Sequence, residues 1–306
     1  MANNANQVRA TFAGLTAIVL WSSVVGLLKS ISQSFGATGG PALVYTIATA
    51  ILIALFGVKR SRHIPRAYLL WGGLLFVSYE ICMALSISYS TSPQQAVEVA
   101  MVNYLWPTFT VIGAVLLRQQ RASRWIYLGL GCSLVGIATV LGGDGGNLIT
   151  NVTASLFDNP LSFGLSLAGA VVWAAYCLVT PRIANGHNGV VLFFGATAAV
   201  LWIKLGFTRD ITLVADSVPI GLLIITSAAM GLGYAAWNFG ILHGNVSVLA
   251  SASYFTPVLA AGLAAFVLQT SLSWSFWQGA LMICIGSTIC WWATRQKPQT
   301  QFATGD

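Results

Sequence analysis

The chain has 306 residues, 57% of them hydrophobic and only 7% charged, with a mean hydropathy of +0.79 and a formal net charge of +7. A soluble domain carries roughly a quarter charged residues, so this chain cannot cover a water-facing surface and its outer face must meet lipid. That excludes a soluble globular protein. The positive excess is explained by membrane topology, so no nucleic-acid partner is needed.

A helix needs about 20 apolar residues to cross the hydrocarbon. Windows of that size predict ten helices, near 10–32, 39–58, 66–89, 94–117, 124–142, 161–181, 188–207, 217–241, 246–269 and 274–294. The expected fold class is therefore an all-α integral membrane protein. Helix 1 follows Arg9; its length, its Trp21 and the lack of a small-x-small cleavage site mark it as a retained span, not a signal peptide. Lys29 falls near its far end. Helix 3 carries Tyr79 and Glu80, and helix 4 carries Glu98 and the stretch "NYLWPTF" over 103–109. Helix 5 is rich in glycine (Gly129, Gly131, Gly136). The "GGDGG" at 142–146 lacks the lysine and following helix of a phosphate loop and reads as a flexible turn in an external loop over 143–160. Helix 6 holds Trp173 and Tyr176, helix 8 holds Tyr234, Trp237 and Asn238, and helix 9 contains "SYFTPVL" over 253–259.

Assigning alternate breaks to opposite sides puts Arg9, Lys59, Arg60, Arg62, Arg66, Arg118, Arg121, Arg124, Arg182, Arg295 and Lys297 together. Only Lys29, Lys204 and Arg209 fall on the other side. The positive-inside rule then places both termini, with the tail 295–306, in the cytoplasm.

The stretches at 103–109 and 253–259 match at an offset of 150, Tyr104 with Tyr254 and Pro107 with Pro257. At the same offset Gly129 meets Gly279 and Gly136 meets Gly286; at 152, Trp21 meets Trp173. The expectation is two copies of a five-helix unit, 1–142 and 161–294. Five helices per copy makes the second copy inverted, as in many transporters.

A proline inside a helix removes one donor and displaces the carbonyl four residues earlier. Those carbonyls belong to Asn103 and Ser253, so each kink places a polar cluster at membrane depth, where it must face protein or a water-filled cavity. Pro107 and Pro257 are accordingly expected to kink and gate. Interfacial tryptophans and tyrosines gather at helix ends, whereas Trp21, Tyr79, Trp106, Trp173, Tyr176, Tyr234 and Trp237 are mid-helix. They line a cavity in one reading and pack the core in the other. Asn103, Tyr104, Asn238, Ser253 and Tyr254 add polar groups to the expected site. Of the seven acids only Glu80 and Glu98 fall within helices, and intramembrane ionisable groups are functional candidates. Lys29 is a plausible ion-pair partner for Glu98. Glu80 has no evident cationic partner; it would bind an ammonium, carry a proton, or sit protonated and hydrogen-bonded.

No metal or cofactor site is expected: Cys82, Cys132, Cys177, Cys284 and Cys290 read as small apolar fillers. His63, His187 and His243 lie at helix ends or in loops, and no nucleophile–base spacing suggests an enzyme.

The runs "LLFVSYEICMALS" (74–86), "VEVAMVNYLWP" (97–107), "GAVVWAAYC" (169–177), "YAAWNFGILHGN" (234–245) and "SYFTPVL" (253–259) resemble the drug/metabolite transporter superfamily. They look most like its bacterial ten-helix aromatic amino-acid exporters. The resemblance implies export of phenylalanine, tyrosine, tryptophan and analogues by alternating access, from a bacterial inner membrane. It also implies a cavity lined by helices 1, 3, 4, 6, 8 and 9. Export of other small amphipathic molecules, or a channel-like pore, is the alternative. Oligomeric state is not legible in the sequence.

Overall fold

A backbone crossing lipid must satisfy its own N–H and C=O groups, and a helix does so within each segment. The computed structural model describes residues 2–57, 64–118, 122–212 and 216–294. Within them the regular structure is helical, and nine helical segments are long and apolar enough to span a membrane. The tail 295–306, His63 and the basic residues Lys59, Arg60, Arg62 and Arg121 lie outside the described residues.

The first half contains α1 (Ala2–Phe35), α2 (Gly39–Phe56), α3 (Gly73–Ser88), α4 (Pro93–Asn103), α5 (Trp106–Leu116) and α6 (Trp125–Gly142). A π-helical turn, Tyr68–Gly72, leads into α3. The second half contains α8 (Pro160–Ile183), α9 (Val190–Thr208), α10 (Ser217–His243), α11 (Val246–Ser253), α12 (Thr256–Val267) and α13 (Trp274–Ala293).

Two expectations are corrected. The proposed external loop over 143–160 contains α7 (Leu148–Asp158), whose first turn is capped by Asn147 Oδ1 accepting from the amides of Ile149 and Thr150 at 3.0 and 3.3 Å. The "GGDGG" turn before it has a fixed partner: Asp144 Oδ1 accepts from the Ser275 amide at 3.0 Å and from its hydroxyl. These bonds at the start of α13 favour the ionised form and hold the Asp144 carboxyl below its usual range.

The proline segments are also not kinked continuous helices. Each is two helices joined at a break, Tyr104–Leu105 and Tyr254–Phe255, with the proline in the first turn of the second helix. There its missing N–H leaves no bond unmade and its fixed φ suits the helix start.

α1 packs on α10 and α12, α8 packs on α3 and α5, and α2 packs on α9. α6 and α13 run against each other through glycine. A methyl group on Gly129 would lie 2.8 Å from the Gly286 carbonyl oxygen, and one on Gly136 the same distance from that of Gly279. Small residues permit such close backbone approach, which supplies van der Waals contact where lipid gives no hydrophobic driving force.

Candidate functional site

Both helix breaks open on one cavity of about 240 Å³, bounded by α1, α3, α8, α10 and α13 as well. Its walls are two aromatic clusters. On one side Trp173 lies 4.3 Å from Tyr79, centroid to centroid, and stacks on Tyr176 at 4.8 Å and 14°; the Trp106 ring stands perpendicular to it at 6.5 Å. On the other side Trp21 meets Tyr234 edge-on at 5.0 Å and Trp237 at 5.3 Å. Aromatic pairs prefer such offset and edge-to-face geometries.

Of the residues singled out from sequence, Trp21, Tyr79, Glu80, Asn103, Tyr104 and Trp106 line this cavity from the first half. Trp173, Tyr234, Trp237, Ser253 and Tyr254 line it from the second, and Pro107 and Pro257 flank the breaks. Two candidates do not reach it. Tyr176 backs the Trp173 ring, and its hydroxyl lies 3.3 Å from that of Tyr68, which in turn accepts from the Gly189 amide. Asn238 lines a different cavity on another face of α10.

The polar groups are already engaged with protein. Asn103, 1% exposed, donates from Nδ2 to the Ser166 carbonyl and accepts from the Tyr79 hydroxyl at 3.5 Å. This ties α4 to α8 and orients Tyr79. At the second break the Ser253 carbonyl, expected to be left open by Pro257, accepts the Thr256 hydroxyl at 2.6 Å. Glu80, 2% exposed, has one carboxyl oxygen bonded by the Tyr45 hydroxyl at 2.5 Å and the other by the Tyr234 hydroxyl. It thereby joins α2, α3 and α10. Among the described residues no lysine or arginine lines the cavity.

The expected Lys29–Glu98 pair does not form. Lys29 is buried and donates to the Ser90 carbonyl, while Glu98 accepts from Gln94 Nε2 at 2.7 Å. Each side chain is engaged by a different partner.

Sequence reasoning missed Tyr45, although a lone mid-helix tyrosine was the signal used elsewhere. It also missed Ser287, Cys177 and Met230 in the cavity wall, whose residue types are ordinary in membrane helices. Gly169 and Gly233 escaped notice too. A methyl group on Gly233 would sit 2.8 Å from Trp21 Nε1, and one on Gly169 would sit 3.1 Å from Asn103 Nδ2. The Trp21 Nε1, held against Gly233, is buried without a hydrogen-bond partner among the described residues.

Comparison with known proteins gives consistent results. Residues 161–292 match the EamA-like transporter family. A protein of Escherichia coli (strain K12) named aromatic amino acid exporter YddG is 49% identical over 293 residues, spanning 94% of this chain and 98% of its own. A protein of the same name from Salmonella typhimurium is 45% identical over 289 residues, spanning 94% and 99%. One from Ancylobacter novellus is 28% identical over 266 residues, spanning 82% and 85%. A solved crystal structure with 22% sequence identity superposes with a TM-score of 0.64, over 94% of this chain and 98% of the other, and establishes likeness of fold.

Proposed function

This chain belongs to the EamA-like transporters of the drug/metabolite transporter superfamily, and on that premise we propose that it exports aromatic amino acids and their analogues. The observation that carries the reading is the pair of aromatic clusters facing one cavity at two helix breaks, in a chain nearly half identical to named exporters of such molecules. A flat apolar side chain fits between the Trp173 and Trp21 clusters, where ring faces and edges supply contact area and dispersion. The zwitterionic end lies toward the breaks, where Asn103, Tyr104, Ser253 and Tyr254 carry polar atoms. The Trp21 N–H is a donor in reserve for the carboxylate once the ring turns off Gly233, since a buried donor gains most from a partner.

Transport proceeds by alternating access, with the two halves rocking about the cavity. Two features support an inverted five-helix repeat, 1–142 against 161–294, with α11 and α12 together as a tenth span. The two breaks occupy equivalent places in the halves. The glycine contacts of α6 and α13 also exchange under the 150-residue offset, Gly129 on Gly286 mapping to Gly279 on Gly136. The basic asymmetry supports an inner-membrane protein with both termini in the cytoplasm. Carriage, and no covalent chemistry, is the activity assigned.

The test is uptake of labelled phenylalanine, tyrosine and tryptophan into proteoliposomes. Saturation and counterflow are expected, because a carrier returns loaded. Flux without counterflow makes it a channel, and no flux of any of the three removes the substrate assignment. If a pH gradient changes the flux, Glu80→Gln abolishes the effect should Glu80 carry the proton.

A further inference from the structure

A second cavity, about 330 Å³, lies between the ends of α2 and α10 and the α8–α9 connection. It uses a different face of α10 from the aromatic cavity: Ala235, Asn238 and Phe239, where the other uses Tyr234 and Trp237. Its walls divide by polarity. Leu52, Phe56, Val191, Leu192 and Phe239 form an apolar floor. Phe56 and Phe239 are 45% and 47% exposed on the surface that meets lipid, so the floor is continuous with the bilayer.

The polar atoms gather at the helix ends, on His187, Asn188, Asn238 and His243. Asn238 has no side-chain hydrogen bond among the described residues, unusual for an amide within a membrane helix. His187 Nδ1 lies 3.1 Å from the Ala184 carbonyl and His243 Nδ1 lies 3.3 Å from that of Phe239. Among the described residues neither Nε2 has a hydrogen-bond partner, and either ring nitrogen of a histidine can carry a proton and donate.

Among the described residues, none that lines the cavity is acidic. Glu80 and Glu98 belong to the central cavity and the far end, and Asp144, Asp158, Asp210 and Asp216 lie in the breaks at the opposite helix ends. Arg182 is in the last turn of α8, Arg66 opens the helical segment before α3, and Lys59, Arg60 and Arg62 follow Gly57 in sequence.

An apolar floor open to the bilayer, a polar end at headgroup depth and basic residues on the adjoining segments of the sequence suit one amphiphile. We propose that this cavity binds an anionic phospholipid of the inner leaflet. An acyl chain lies on the Leu52–Phe239 floor, and the phosphate accepts from Asn188, Asn238 and the two histidines. Basic residues at the membrane surface draw anionic headgroups, and bonds to a charged phosphate exceed neutral ones in strength. The inference uses the topology proposed for the chain and nothing of the aromatic cavity.

Native mass spectrometry from mixed micelles tests it, with phosphatidylglycerol and phosphatidylcholine of identical chains. One phosphatidylglycerol is expected to be retained about tenfold over phosphatidylcholine, as expected for a charge-assisted site. The double variant Asn238→Leu with His243→Ala is expected to erase the preference. Val191→Trp, which fills the floor and leaves the polar end intact, is expected to remove retention of both lipids. Equal retention of the two lipids by the unaltered protein overturns the proposal, as does retention unchanged by Val191→Trp. Displacement by glycerol phosphate at equal concentration would reduce the site to a phosphate site and also overturns it. Retention is read without any amino acid present, so it stands or falls separately from export.

Discussion

The two helix breaks share a sequence device yet differ in how the protein holds them. At the first, Asn103, Tyr104 and Leu105 are all buried, Leu105 to 3% exposure. At the second, Ser253 and Tyr254 are partly exposed and Phe255 is 59% exposed. The flanks explain the difference. α4 is capped by Ser92 and clamped by Gln95, which donates to Asp158 at 2.9 Å and accepts from Asn159 at 2.9 Å, and Asn103 adds its bond to Ser166. At that same end Lys29, Ser32, Ser88 and Ser90 are buried in a polar seal. α11 has only eight residues; Asn245 caps it by accepting from the Val248 amide, and donates its own backbone N–H to the Thr11 hydroxyl oxygen at 2.8 Å. A proline break is therefore a permission to bend, and the contacts around it decide whether the bend is fixed. On the proposed alternating-access reading, the clamped α4–α5 break is expected to serve as frame and α11–α12 as the moving part.

The largest expected effect comes from Glu80, the one acidic side chain that lines the aromatic cavity among the described residues. Met230 stands where the second half would have its counterpart of Glu80, and both line the cavity. Glu80→Met removes the carboxyl and strands the Tyr45 and Tyr234 hydroxyls, at roughly 1–3 kcal/mol for each buried orphan. Flux in proteoliposomes should fall at least about tenfold, that energy corresponding to one or more decades. Activity near wild type would mean the carboxyl is incidental.

Next come the prolines. Alanine allows each break to close into continuous helix, restoring the donor that proline lacks. If the second break is the moving one, Pro257→Ala should reduce flux several-fold at normal expression and Pro107→Ala by about half that factor, since other bonds hold the first. Equal losses, or the reverse order, would end the distinction between frame and moving part. The smallest effect concerns the clamp alone. Gln95→Ala removes partners of Asp158 and Asn159 and should lower stability by about 1 kcal/mol, read as a lower thermal midpoint, while raising cysteine labelling of a probe at position 105. Unchanged labelling would show that Gln95 does not seal this end.

Depth in the membrane was legible in the sequence; direction around the helix was not. Trp21, Tyr79, Trp173 and Tyr234 were found because residue number along a span reports depth, and at mid-span an aromatic ring is unusual. Asn238 is at similar depth to Trp237, but one residue turns a helix by about 100°, and it serves the other cavity. Lys29 and Glu98 each met a different partner. The breaks were half legible: proline marked where the helix is interrupted, but whether the chain kinks or restarts depends on neighbours such as Thr256, whose hydroxyl takes the Ser253 carbonyl. α7 was hidden because it is short and lies between spans, where an apolar count of about 20 has nothing to detect.

The reciprocal glycines of α6 and α13 bear on substitution. Gly129 rests on Gly286 and Gly136 on Gly279, backbone to backbone. Neither member of a pair can become a larger residue without displacing the main chain of the other, so each contact restricts both of its positions.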